Sequence, residues 1–173
     1  MIRKDDVYRI GKIGKPHGIN GEMVLFFTDD VFDRVEADYL VLELDGILVP
    51  FFIDEYRFRS EETALIKFSG IDTQEKARQI TGTEVFFPRN LSDSDGDDLS
   101  MAEIIGFTIT DKSSGMVIGA IDNVDNSTMN TLFSVIRDDG EEVLIPVSEE
   151  WIVDIDNKKR NITMALPEGL LSL

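Results

Sequence analysis

The sequence predicts an all-β protein: two small β-barrels joined by an acidic linker, with one short helix in the N-terminal domain. Three observations carry that expectation. Apolar residues come in short β-branched and aromatic runs, the gaps between runs hold turn residues such as Asp45-Gly46 and Asp139-Gly140, and the stretch from Leu91 to Ser100 carries four aspartates and no base. With 173 residues, 42% of them hydrophobic and 29% charged, the chain is long enough to bury a real core and too apolar to be disordered.

In the first half the runs are Met23 to Phe27, Leu40 to Leu44, Ile47 to Ile53, Ala64 to Phe68 and Glu84 to Phe87. Each reads as a strand. Asp45-Gly46 lies between two of them, and a two-residue type I′ turn needs positive φ at both central positions, which Asp-Gly tolerates. The one expected helix is Thr73 to Ile80, with Asp72 as N-cap, Glu75 completing a capping box and Gly82 closing the end. Asp93, Asp95, Asp97 and Asp98 then lie in a run that cannot bury apolar area and repels itself, so residues 91–98 read as a solvated linker. That divides the chain into domains at residues 1–90 and 99–173.

The second half repeats the pattern. Gly106 to Thr110 and Val117 to Ile121 flank Ser113-Ser114-Gly115; Leu132 to Ile136 and Val143 to Val147 flank Asp139-Gly140; Ile152 to Ile155 and Ile162 to Leu166 flank residues 157–160. About six close-spaced strands with almost no helix suit a small barrel, which removes the exposed edges of a short sheet.

Composition excludes several chemistries. Without cysteine there is no disulfide framework, thiolate metal site or thiol nucleophile, and a single histidine rules out a multi-histidine cage within one chain. No signal-peptide core or membrane-length apolar run is evident, so a soluble cytoplasmic protein is expected. The net charge of −17 opposes nonspecific wrapping of nucleic acid and suits a basic partner. The acidity is uneven, net −5 over residues 1–90 and −12 over residues 91–173.

The densest cluster of unusual residues is GKIGKPHGINGE, Gly11 to Glu22. Its glycine spacing matches neither phosphate-binding fingerprint, and it reads as a loop between two barrel strands, with Gly18 and Gly21 supplying turn geometry. Lys12, Lys15 and His17 form a small basic patch there, suited to touching phosphate. His17 has no orienting partner and no nucleophile in a recognisable motif, so no catalytic residue is assigned. The acids lack the spacing of a calcium loop, and no metal or cofactor is expected. Tyr56-Arg57-Phe58-Arg59 alternates rings and bases, which suits either base stacking or an ordinary half-buried strand. Trp151 is an anchor of the core or of an interface, and the tail residues Leu170, Leu171 and Leu173 must pack back or stay exposed.

GKIGKPHGINGE followed, across an acidic linker, by IIGFTI, GAIDNV, LIPVSEEWIVDID and LPEGLL resembles the RimM family of ribosome maturation factors over nearly the whole chain. The resemblance implies a RimM-type N-terminal barrel and a C-terminal PRC barrel. It further implies a non-enzymatic assembly factor that binds a head protein of the small ribosomal subunit, of the S-nineteen family, on the pre-30S particle, and aids late maturation of 16S rRNA; a monomer is expected. Members of that family carry an adjacent aromatic pair ahead of the PRC barrel, implicated in partner binding; here those positions are Leu99 and Ser100. Partner contacts are therefore expected at Lys12, Lys15, His17, Gly18, Gly21, Leu99, Ser100 and Trp151. The competing readings are a small flavin-type oxidoreductase built on the N-terminal barrel and a PRC module serving electron transfer at a membrane, since fold does not dictate function.

Overall fold

The computed structural model describes residues 1–92 and 99–172; the aspartates at 93, 95, 97 and 98 lie outside them. The chain divides into two compact units, the boundary falling between residues 93 and 94.

The first unit contains β1 (Val7–His17), β2 (Glu22–Phe27), α1 (Val31–Arg34), β3 (Tyr39–Leu44), β4 (Ile47–Phe58), β5 (Thr63–Phe68), α2 (Gln74–Gln79) and β6 (Glu84–Pro88). Its strands close into a barrel in the order β1-β2-β5-β4-β3-β6, with β6 pairing antiparallel to both β1 and β3. Alternation along the strands sends Ile10, Ile13, Met23, Leu25, Leu40, Leu42, Ile66, Phe68, Val85 and Phe87 inward, all at most 1% exposed. Each large side chain buried this completely contributes about 2–3 kcal/mol. At the Asp45-Gly46 turn both residues have positive φ, 50° and 78°, as a type I′ hairpin requires.

Three details differ from expectation. First, residues 11–17 are not loop: β1 runs to His17, and the turn is confined to residues 18–21. The glycines do not break this strand because they admit neighbours; a Cβ on Gly11 would stand 1.9 Å from the Phe26 carbonyl oxygen. Second, the cap of α2 is Thr73, whose Oγ1 accepts from the Lys76 amide at 3.2 Å, while Asp72 instead pairs with Lys67 at 3.0 Å. Third, a short α1 is added. Its Phe32 is buried against the rings of Phe27, Tyr56 and Phe58, and the Asp29 carboxylate accepts from the Val31 amide at 2.9 Å.

The second unit contains β7 (Thr108–Asp111), β8 (Val117–Asp125), β9 (Leu132–Ile136), β10 (Glu142–Pro146), β11 (Ile152–Asp156) and β12 (Asn161–Met164), hydrogen-bonded in the order β10-β9-β8-β7-β12-β11. The three expected hairpins are present, and β7 and β12 are joined by a parallel pairing. Asn161 secures that pairing by donating to Thr108 Oγ1 at 2.9 Å and Thr110 Oγ1 at 2.8 Å. Residues from all six strands feed one core around Phe107, Ile109, Ile121, Phe133, Val135, Ile145, Ile162 and Met164, with Ile152 and Ile155 of β11 packed against it, so the sheet wraps a common interior.

Candidate functional site

The hairpin made by β1 and β2 gathers Lys12, Lys15, His17, Gly18 and Gly21 into one element. The β1–β2 register is interrupted between Ile13 and Pro16, and this bulge bends the strand where Lys15 is exposed. Gly18 has φ +73° with open space around it, whereas Gly21 has φ +85° and packs against the Ile71 carbonyl, which a Cβ would approach to 1.8 Å. Between them Ile19 is 75% exposed at the hairpin tip. The Glu22 carboxylate that follows is held by the Arg57 guanidinium at 2.7 Å, tying β2 to β4 across β5.

Several other cations of this unit are neutralised in the same way: Arg9 by Glu84 at 3.0 Å, Lys67 by Asp72 at 3.0 Å and Lys4 by Glu43 at 3.2 Å. Lys12 and Lys15 are exposed and take part in none of the ion pairs among the described residues. In a strongly acidic chain these two ammonium groups, with the exposed His17 imidazole, are free to meet an anion from outside. No three His, Cys, Asp or Glu side chains among the described residues gather as a metal site.

The alternating rings of Tyr56 and Phe58 are committed to packing, their centroids 5.0 Å and 5.7 Å from that of Phe32, and Arg57 is paired with Glu22. That segment is the half-buried strand. Phe26, missed by the sequence reading, is 50% exposed and lies directly across from Lys12. The signal was available in MVLFF: strict alternation sends Met23, Leu25 and Phe27 inward and so turns Phe26 outward.

In the second unit, Leu99 and Trp151 are half-buried against the core. Ser100 begins a turn, its Oγ accepting from the Glu103 amide at 3.2 Å. Close to Leu99 and Ser100 in the chain, Met101 and Ile105 are exposed at 45% and 38%, and Val153, close to Trp151, is exposed at 44%. Leu170 and Leu171 pack back on the core, and the Leu171 carbonyl accepts from Arg137 at 3.1 Å; Leu173 lies outside the described residues. Asp111 anchors the β7–β8 turn by accepting from the Ser114 amide at 3.0 Å and from the hydroxyls of Ser113 and Ser114 at 2.5 Å and 2.8 Å. Those hydroxyl donors hold its carboxyl down to a pKa of about 2. No helix among the described residues is long and apolar enough to cross a membrane.

Residues 8–92 match the family model of the RimM N-terminal domain and residues 101–170 that of the RimM PRC barrel domain. The ribosome maturation factor RimM of Bacteroides thetaiotaomicron is 53% identical over 174 residues, covering 100% of this chain and 97% of the relative. That of Porphyromonas gingivalis is 39% identical, covering 100% of each chain. A crystal structure of a RimM protein from Pseudomonas aeruginosa, 23% identical, covers 94% of this chain and 98% of its own with a TM-score of 0.45. The match of both family models, in order, and the full-length relatives show that the chain belongs to the RimM family of ribosome maturation factors.

Proposed function

We infer that this protein is a non-enzymatic ribosome assembly factor. It acts as a monomer in the cytoplasm, binds a head protein of the small ribosomal subunit of the S-nineteen family on the pre-30S particle, and assists late maturation and processing of 16S rRNA. The observation that carries this reading is the full-length similarity to proteins named ribosome maturation factor across both units.

The physical features support it. A chain of net −17 complements a basic ribosomal protein, and complementary charge steers encounter and selects partners. The acidity is concentrated in residues 91–173, which favours the PRC unit as the protein-binding half. There Leu99, Ser100 and Trp151 mark the contact region, with the exposed Met101 and Ile105 supplying apolar area that the half-buried Leu99 and Trp151 lack. On the first unit, Lys12, Lys15 and His17, presented by the hairpin that Gly18 and Gly21 turn, provide a local contact to rRNA phosphate. The test is a pairwise binding assay between the full chain and the isolated S-nineteen protein at two salt concentrations. Direct binding that weakens with salt is the expected result; absence of binding at low salt overturns the partner assignment.

A further inference from the structure

The hairpin that carries the free lysines also carries an aromatic ring with an unusual seat. Gly14 of β1 lies beneath Phe26 of β2: a Cβ placed on Gly14 would stand 2.6 Å from Cε2 and 3.2 Å from Cδ2 of that ring. Only a glycine lets the ring rest this close to the strand. The Cδ2 and Cε2 atoms of the ring thus rest on the Gly14 backbone, and the side chain remains 50% exposed. Among the described residues Phe26 forms no ring pair, in contrast to Phe27, Phe32, Tyr56 and Phe58, which pack on one another. Lys12 is its cross-strand partner, and Arg9, Lys12, Thr28 and Glu62 border the depression beside it.

We propose that Phe26 is a stacking platform for one unpaired nucleobase of single-stranded RNA, with Lys12 and Lys15 holding the flanking phosphates. The inference rests on the assembly-factor reading and deepens it, by assigning the class of rRNA that the first unit meets. A flat ring on a β-sheet with one open side is the form in which proteins stack bases, and stacking tolerates any base because every base has a π-face. The cations are placed for the backbone: Lys12 lies across from the ring, in no ion pair among the described residues, and the Arg9 guanidinium is occupied by Glu84 at 3.0 Å. A single base contact on an otherwise acidic protein gives weak binding to free RNA. It gains weight on the particle, where a protein–protein contact raises the effective concentration of the RNA near the hairpin.

The test measures fluorescence anisotropy of a labelled short oligoadenylate, and of the same backbone carrying abasic residues, titrated with the full chain at low salt. The wild type is expected to bind the base-bearing strand about tenfold more tightly. Phe26→Ala is expected to remove that preference, and Lys12→Ala to weaken both strands alike. Phe26→Leu keeps an apolar contact on Gly14 without the ring, and should behave as the alanine variant does. Three outcomes overturn the proposal: no measurable binding by the wild type, equal affinity for the two strands, or an unchanged preference in Phe26→Ala and Phe26→Leu. Co-sedimentation with immature small subunits, run on the same variants, separates the two levels. Retained co-sedimentation without base preference removes only the platform, whereas loss of co-sedimentation by the wild type removes the assembly-factor reading.

Discussion

The backbone of Gly21 passes so close to Ile71 that a Cβ at position 21 would stand 1.8 Å from the Ile71 carbonyl oxygen, in a conformation, φ +85°, that L side chains rarely adopt. The motif glycine is therefore a packing residue that seats the β1–β2 hairpin against the segment leading into α2. Gly21→Ala is expected to destabilise the protein by at least about 2 kcal/mol. Gly18→Ala, at φ +73° but with nothing within 4 Å, should cost only about 1 kcal/mol. Urea unfolding of the two variants checks the difference; equal losses would contradict the packing account.

Lys12 and Lys15 should behave oppositely. Both are exposed and unpaired among the described residues, so the double alanine variant is expected to stay within about 0.5 kcal/mol of wild-type stability while binding the small subunit more weakly. Thermal unfolding and co-sedimentation together check this. A large drop in the unfolding midpoint would assign the lysines to the fold instead.

Asp111 links stability to pH. Its carboxyl is depressed from 3.8 to about 2 by hydrogen bonds from Ser113 and Ser114. A depressed carboxylate stabilises the fold above its unfolded pKa and loses that contribution as the pH falls through its folded value. Asp111→Ala is therefore expected to lose about 1–3 kcal/mol at neutral pH. The gap to wild type should narrow between pH 4 and pH 2. Denaturation of both proteins across that range provides the check, and a pH-independent gap would contradict it.

The net charge of −17 predicts electrostatic steering toward the proposed basic partner. The association rate with the S-nineteen protein is expected to fall with ionic strength, and reversing Asp93, Asp95, Asp97 and Asp98 to lysine should slow association more than it speeds dissociation. Stopped-flow kinetics at two salt concentrations distinguishes these effects. A salt-independent rate constant would contradict electrostatic steering.

Much of the fold is legible because the local rules agree. Asp45-Gly46 demands its hairpin, and alternation in MVLFF sorts Met23, Leu25 and Phe27 from Phe26. β1 was hidden because Gly11, Gly14 and Pro16 contradict strand propensity. The glycines answer instead to Phe26, whose carbonyl and ring approach from β2, a contact invisible without the pairing register. The parallel pairing of β12 with β7 was hidden for a related reason: it joins residues about 50 positions apart, as Asn161 and Thr108 show, and no turn announces it. At the candidate site the lysines were readable by charge. Their lack of carboxylate partners among the described residues, and the occupation of Arg57 by Glu22, required coordinates.

The central claim, that the protein engages the small subunit while it is being assembled, is tested most directly by co-sedimentation of the purified full chain with immature and mature small subunits in parallel. The account predicts retention on immature particles and markedly less on mature ones. No retention on either, or equal retention on both, would contradict it.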